Sequence, residues 1–291
     1  MISRFAPLPG TQGTLTESPV WDARRQALLW CDIPEGVIHE LTLGSGARRV
    51  WQLPGPVGSF GLAQGEALVV ACRHDIILLE RDSGAQSLLA RLPPDPRTRA
   101  NDGKIGPDGA FWVGTMDDTP AKEPIGALYR ITPDGRVECR VEGLVTSNGL
   151  AWSADGRVLF HSDSRARKLD VYDFDPAGGT LRNGVRLRDF DDETGRPDGA
   201  AMDVQGRYWS AGVSAGRLNL FTRAGGLVQS LAAPTPAPTM PCFGGPDMKT
   251  LFLTSLRHGL SEAQLAAAPG AGGLFQAQAE VAGVPVGRFG G

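Results

Sequence analysis

One unit recurs along this chain: a polar residue, a short apolar run, a turn ending in glycine and a strand with a bulky centre. Its clearest copies are "SNGLAWSADGRVLFHSD" from Ser147, "PDGAAMDVQGRYWSAG" from Pro197 and "ANDGKIGPDGAFWVGT" from Ala100. The turn and strand half returns in "DARRQALLWCD", "AQGEALVVAC" and "GPDMKTLFLTS". With Trp30, Val70, Trp112, Phe160, Trp209 and Phe252 as markers, the spacings are 40, 42, 48, 49 and 43 residues. A period of that size, punctuated by 39 Gly and 22 Pro, accommodates about four short strands per unit. Such units form stable structures by stacking on their neighbours around an axis. The spacing therefore predicts an all-β, six-bladed β-propeller with four-stranded antiparallel blades, in one domain spanning 1–291; the central metal site expected of it rests on the oxygen-bearing residues that the repeat brings together. The one persuasive helical pattern is "SEAQLAAA" at Ser261, worth a turn or two. Propeller ends often share a blade, so the N-terminal segment is expected to pair beside "GGLFQAQAEV", residues 272–281.

Radial repetition brings equivalent positions of successive blades to a common axis. Counting back eight residues from the turn position gives Asn101, Asn148 and Asp198 in the regular copies, and Glu17, Val57 and Met240 in the others. Asn and Asp are poor strand formers, so their presence at the start of apolar strands needs another cause. Glu17, Asn101, Asn148 and Asp198 together offer two carboxylates and two amide oxygens. That hard-oxygen set suits one divalent ion (Ca²⁺, Mg²⁺ or Mn²⁺, with Zn²⁺ or Fe²⁺ tolerated). Without a cation, clustered carboxylates would repel and raise one another's pKa.

The bulk properties narrow the partners. A formal charge of −3 gives no basic excess for nucleic acid or an anionic membrane surface. The opening "MISRFAPLPG" has no apolar core of a signal peptide, and no apolar run reaches the length of a membrane span. Cys31, Cys72, Cys139 and Cys242 lie far apart, as expected of reduced, mostly buried thiols in a cytoplasmic protein.

The segments "ESPVWD" at Glu17, "RANDGKIGPDGAFWVGTMD" from Arg99, "SNGLAWSADG" from Ser147 and "RPDGAAMDVQG" from Arg196 resemble those of the senescence marker protein, regucalcin and gluconolactonase family. The resemblance runs from about residue 13 to about 260. It implies a single divalent metal held by Glu17, Asn148 and Asp198, with Asp198 as general base. It also implies that Arg99 and Asn101 face the substrate, a sugar-acid lactone. Where relatives carry an acidic sugar-binding residue, this chain reads "DDTPAKEP", so the counterpart is Asp118 or Thr119.

The expected function is metal-dependent hydrolysis of a pentono- or hexonolactone, such as arabinono-, xylono- or gluconolactone, by a monomer or weak homodimer. Two alternatives use the same ring. One is hydrolysis of organophosphates or hydrophobic lactones, for which Val57 and Met240 would leave an apolar pocket; the other is a non-catalytic calcium-binding propeller. "GVSAG" around Ser214 matches G-x-S-x-G, but its flanks "YWSA" and "RLNLF" read as a hairpin rather than a strand–turn–helix elbow. His39, His74, His161 and His258 form no zinc-binding pattern. Lys104 lies beyond the ring and is expected to form at most a salt bridge.

Overall fold

The computed structural model describes residues 2–291. Its strands form six four-stranded antiparallel sheets. The innermost strands are Thr16–Asp22, Val57–Leu62, Thr98–Ile105, Ser147–Trp152, Pro197–Met202 and Pro238–Gly244, which number the blades 1 to 6. Each touches the next, and the last touches the first, so the ring is complete. In blades 1 to 5 the strands follow in chain order from the axis outward. Blade 6 takes its outermost strand, Ala6–Pro7, from the other end of the chain, paired to Phe275–Gln278 as the sequence led us to expect. The helix Glu262–Ala267 is short, with Ser261 and Gln264 forming a capping box. Among the described residues, no helix is long and apolar enough to cross a membrane.

The aromatic markers of the repeat lie where one blade packs on another. Trp112 of blade 3 meets Trp152 of blade 4 edge-on at 6.0 Å, and Phe160 of blade 4 stacks on Tyr208 of blade 5 at 5.4 Å. Trp209 meets Phe243 at 5.7 Å, and Trp21 of blade 1 stacks on Phe252 of blade 6 at 6.1 Å. Each such pair contributes about 0.5–1.5 kcal/mol beyond its buried area. Between blades 1 and 2 a buried ion network adds to the apolar core they share: Arg81 bonds Asp22 at 2.7 Å and Glu40 at 2.5 Å.

All six innermost strands share an irregularity that governs the site. In each, one extra residue is inserted against the second strand: after Glu17, Val57, Ala100, Asn148, Pro197 and Pro238. A bulge of this kind breaks the in–out alternation and re-aims the side chains around it. In blade 4 it depends on Gly149, which has φ +61° and a Cα packed so closely on Ser162 Oγ and Tyr208 Oη that no Cβ fits.

Candidate metal centre and active site

The starts of the innermost strands enclose a cavity of about 220 Å³ at one end of the axis, lined by Glu17, Asn101, Asp102, Asn148 and Asp198 among others. The four oxygen-bearing residues marked by the repeat thus meet in one place. The two apolar ones do not join them. Val57 is buried in the core between blades 1 and 2, while Met240 lines a separate cavity of about 350 Å³. Blades 2 and 6 instead present Gly58 and Thr239 to the polar cavity, one residue away from the count of eight. The larger cavity lies further along the same strands, beside Gly61, Ile105, Met202 and Phe243, and the segment 284–287 packs against it. One end of the axis is therefore polar and the other apolar.

Within the polar cavity, Asn148 Nδ2 donates to Asp198 Oδ1 at 2.6 Å and to Ser164 Oγ at 3.0 Å, leaving its own Oδ1 without a donor among the described residues. Asn101 Nδ2 donates to the Ser147 carbonyl at 3.0 Å, which turns its Oδ1 toward Arg99 Nη1 at 3.1 Å. Arg99 Nε also donates to Asp118 Oδ1 at 3.0 Å. Arg99 and Asp118 therefore stand beside the cavity, linked to it through Asn101, rather than among its lining residues. Thr119 is taken up by the following turn: its amide donates to Asp117 Oδ1 at 2.8 Å and its hydroxyl accepts from Ala121 at 3.3 Å. Of the two alternatives, Asp118 is the one that meets Arg99.

Sequence reasoning missed Asp102. It follows Asn101, and simple alternation would turn it to the opposite face of the strand; the bulge between Ala100 and Gly103 brings both side chains to the cavity. Asp102 Oδ2 accepts from the Leu150 amide at 3.2 Å, while Oδ1 is buried without a partner among the described residues. Lys104, expected to form at most a salt bridge, is buried, and its Nζ donates to the Ala200 carbonyl at 2.6 Å. Burial lowers its pKa, while the charge of Asp102 pulls it back up.

The acids are held far from their ordinary behaviour. Burial pushes the Glu17 carboxyl well above the usual range, and the Asp198 and Asp102 charges push it further. Asp198 is pushed up to about 8, first by burial and then by Asp102, against the pull of the Asn148 hydrogen bond and Arg196. Burial also raises Asp102, opposed by Lys104 and by backbone amides.

A divalent cation suits this donor set. Two acids repel across a cavity where neither has a cationic hydrogen-bond partner, an amide oxygen accepts nothing, and a third carboxylate adds negative charge. Among the described residues, no three His, Cys, Asp or Glu side chains converge as a ligand set of their own. The third oxygen beside Glu17 and Asp198 is the amide of Asn148.

Ser214, set aside as a nucleophile, lies between the paired strands Tyr208–Gly212 and Arg217–Phe221, where its hydroxyl accepts from the Arg196 amide at 2.9 Å. His161 is buried with Nε2 against Ser147 Oγ at 2.8 Å. Three of the four cysteines are buried; Cys139 is exposed, and all four are free.

A family model for the SMP-30/gluconolactonase/LRE-like region matches residues 15–257. The chain is 38% identical over 273 residues to 6-deoxy-6-sulfogluconolactonase of Pseudomonas putida, covering 92% of each protein. It is 32% identical over 267 residues to regucalcin of Bos taurus, covering 89% of each. The crystal structure of a calcium-binding protein, regucalcin from Agrobacterium tumefaciens, superposes with a TM-score of 0.92 at 28% identity, over 98% of this chain and 97% of that one.

Proposed function

Because the chain belongs to the SMP-30/gluconolactonase/LRE-like family, we propose that it is a metal-dependent lactonase that opens the ring ester of a pentono- or hexonolactone to the aldonic acid. The observation that carries this reading is the meeting of Glu17, Asn148 and Asp198, from three different blades, at one polar cavity. Relatives named as a sulfogluconolactonase and as calcium-binding support the lactone and the divalent ion respectively. Free cysteines accord with a reducing, cytoplasmic setting.

Glu17, Asn148 and Asp198 would hold the ion (Ca²⁺, Zn²⁺, Mg²⁺, Mn²⁺ or Fe²⁺). When bound, a divalent ion supplies electrophilic polarisation of an ester carbonyl and lowers the pKa of water. Asp198 is the general base. Its carboxylate is held in place by the Asn148 amide and faces the cavity where water would approach the carbonyl. The proton released by the water as its oxygen bonds to the carbonyl carbon passes to Asp198, which returns it to the ring oxygen as the acyl C–O bond breaks, so the ring opens to an alcohol and the aldonic acid. Arg99, Asn101 and Asp118 form a connected set that would orient the sugar hydroxyls.

The apolar residues expected to favour hydrophobic lactones or organophosphates lie elsewhere: Val57 in the core, Met240 in the other cavity. The polar lining favours a polyhydroxylated substrate. A purely calcium-binding role has support in the description of the Agrobacterium tumefaciens relative.

The test is hydrolysis of arabinono-, xylono- and gluconolactone by protein stripped with chelator and resupplied with each divalent ion in turn. Restored turnover on at least one lactone is expected. Failure of every metal on every aldonolactone would sink the assignment.

A further inference from the structure

The cavity mouth carries more positive charge than the lactonase chemistry uses. Lys122, Arg165 and Arg196 line the cavity together with the acids. Lys122 is committed: its Nζ donates to the Asp117 carbonyl at 2.7 Å, and the charges of Asp118 and Asp117 act on it. The arginines are not. Arg196 is partly buried, yet its guanidinium forms no hydrogen bond or ion pair among the described residues. Arg165 and Arg167 both repel it, and only Asp198 attracts it. Arg167 has its own partner in Asp192 at 2.7 Å; Arg165, exposed at the mouth, has none among the described residues.

The acids of the floor do not account for these two charges. Lys104 offsets Asp102, and the divalent ion that Glu17 and Asp198 would hold would offset those two acids. Arg165 and Arg196 then remain uncompensated beside a cavity that is neutral at its base. Arginine is suited to such a place, because its planar fork binds the oxygens of a carboxylate, sulfonate or phosphate in pairs.

We propose that Arg165 and Arg196 form an anion subsite, and that the natural lactone carries a second, anionic group at the end of the sugar remote from the ring ester. That group keeps all its bonds while the ring is hydrolysed; it serves recognition alone. The word lactone here rests on the proposed function, whereas the subsite stands on the two arginines.

The experiment has two arms. The first compares kcat/KM on gluconolactone with kcat/KM on its 6-phospho, 6-deoxy-6-sulfo and 6-carboxylate counterparts, in the wild type and in an Arg165→Gln, Arg196→Gln double variant. We expect a preference for an anionic lactone that the double variant reduces by about 10- to 100-fold, the range of a hydrogen-bonded charge pair. Whichever of the three anions leads identifies the group. The second arm needs no turnover: calorimetric binding of 6-phosphogluconate and of gluconate to the Mn²⁺-loaded protein, wild type and double variant. Equal binding of the two acids by the wild type overturns the subsite, as does a preference that survives in the double variant. Selective binding of 6-phosphogluconate that disappears in the double variant, with no lactone hydrolysed in the first arm, upholds the subsite and overturns the lactonase assignment.

Discussion

Asn148 of the fourth blade donates its amide N–H to the Asp198 carboxylate of the fifth at 2.6 Å. That single contact fixes the orientation of the acid assigned as base and leaves the Asn148 oxygen free to serve as a ligand. The two residues lie 50 positions apart in the chain and meet only because the blades are wound around an axis.

Asp198→Asn keeps the size of the side chain and removes its basicity. Turnover should fall by about 10²- to 10⁴-fold, the usual range for a general base. Elemental analysis of the same variant should still find about one equivalent of divalent metal. Retention of activity within tenfold of the wild type would remove Asp198 from the role of base.

Stability of the metal-free protein should fall as pH rises from 7 to 8. Asp198, held at about 8 in the fold, keeps a proton there that the unfolded chain has already released, and Glu17 is displaced in the same direction. A raised carboxylate contributes stability that is fully present below its unfolded pKa and disappears as pH passes the folded value. Burial lowers the pKa values of His39, His74 and His161, whose unfolded imidazoles still hold some protons near pH 7 and oppose the trend there, an opposition that is gone by pH 8. Thermal midpoints of chelated protein should decline across the interval, and saturating divalent ion should flatten the slope. Parallel slopes with and without metal would contradict the arrangement.

Gly149→Ala should disable the site through the backbone. The new methyl would run into Ser162 and Tyr208 at a residue with φ +61°, a conformation costing about 1–3 kcal/mol for a residue with a side chain. Both the denaturation midpoint and kcat/KM should drop, because the bulge that follows Asn148 cannot hold its shape. Wild-type values for both would mean the bulge tolerates repacking.

Arg81→Met tests the fold away from the cavity. Arg81 is 1% exposed between Asp22 and Glu40, so its removal leaves the buried Glu40 without its cation and Asp22 with Arg288 alone. A loss of about 3–5 kcal/mol in urea-unfolding free energy is expected from breaking such a network on one side. A loss below about 1 kcal/mol, the scale of an exposed pair, would show that the acids find other partners.

The architecture was legible because each blade repeats one hydrophobic program, and the bulky residue at its centre marks where it packs on a neighbour. The candidate site was legible chiefly where the repeat was regular. Counting eight residues back from the turn located Asn101, Asn148 and Asp198, and it also located Glu17 in a less regular copy. It failed at Val57 and Met240, since blades 2 and 6 offer Gly58 and Thr239 instead. Asp102 escaped for a related reason: period-two alternation describes a flat strand, and nothing in "RANDGK" announces the inserted residue that turns Asp102 inward. Lys122, Arg165 and Arg196 come from connecting segments or strand approaches, whose course depends on tertiary packing rather than on local pattern.

Blade 6 stands between blade 5 and blade 1, and it is assembled from both extremities of the polypeptide. Glu17 and Asp198 thus gain their mutual proximity only when Pro238–Gly244 is wedged between their strands. A growing chain holds every candidate ligand long before synthesis reaches that segment, yet it cannot capture an ion or turn over a sugar. Catalytic competence should arrive all at once, late in translation, and a single protease cut that releases this wedge would abolish it while leaving every ligand in place along the chain.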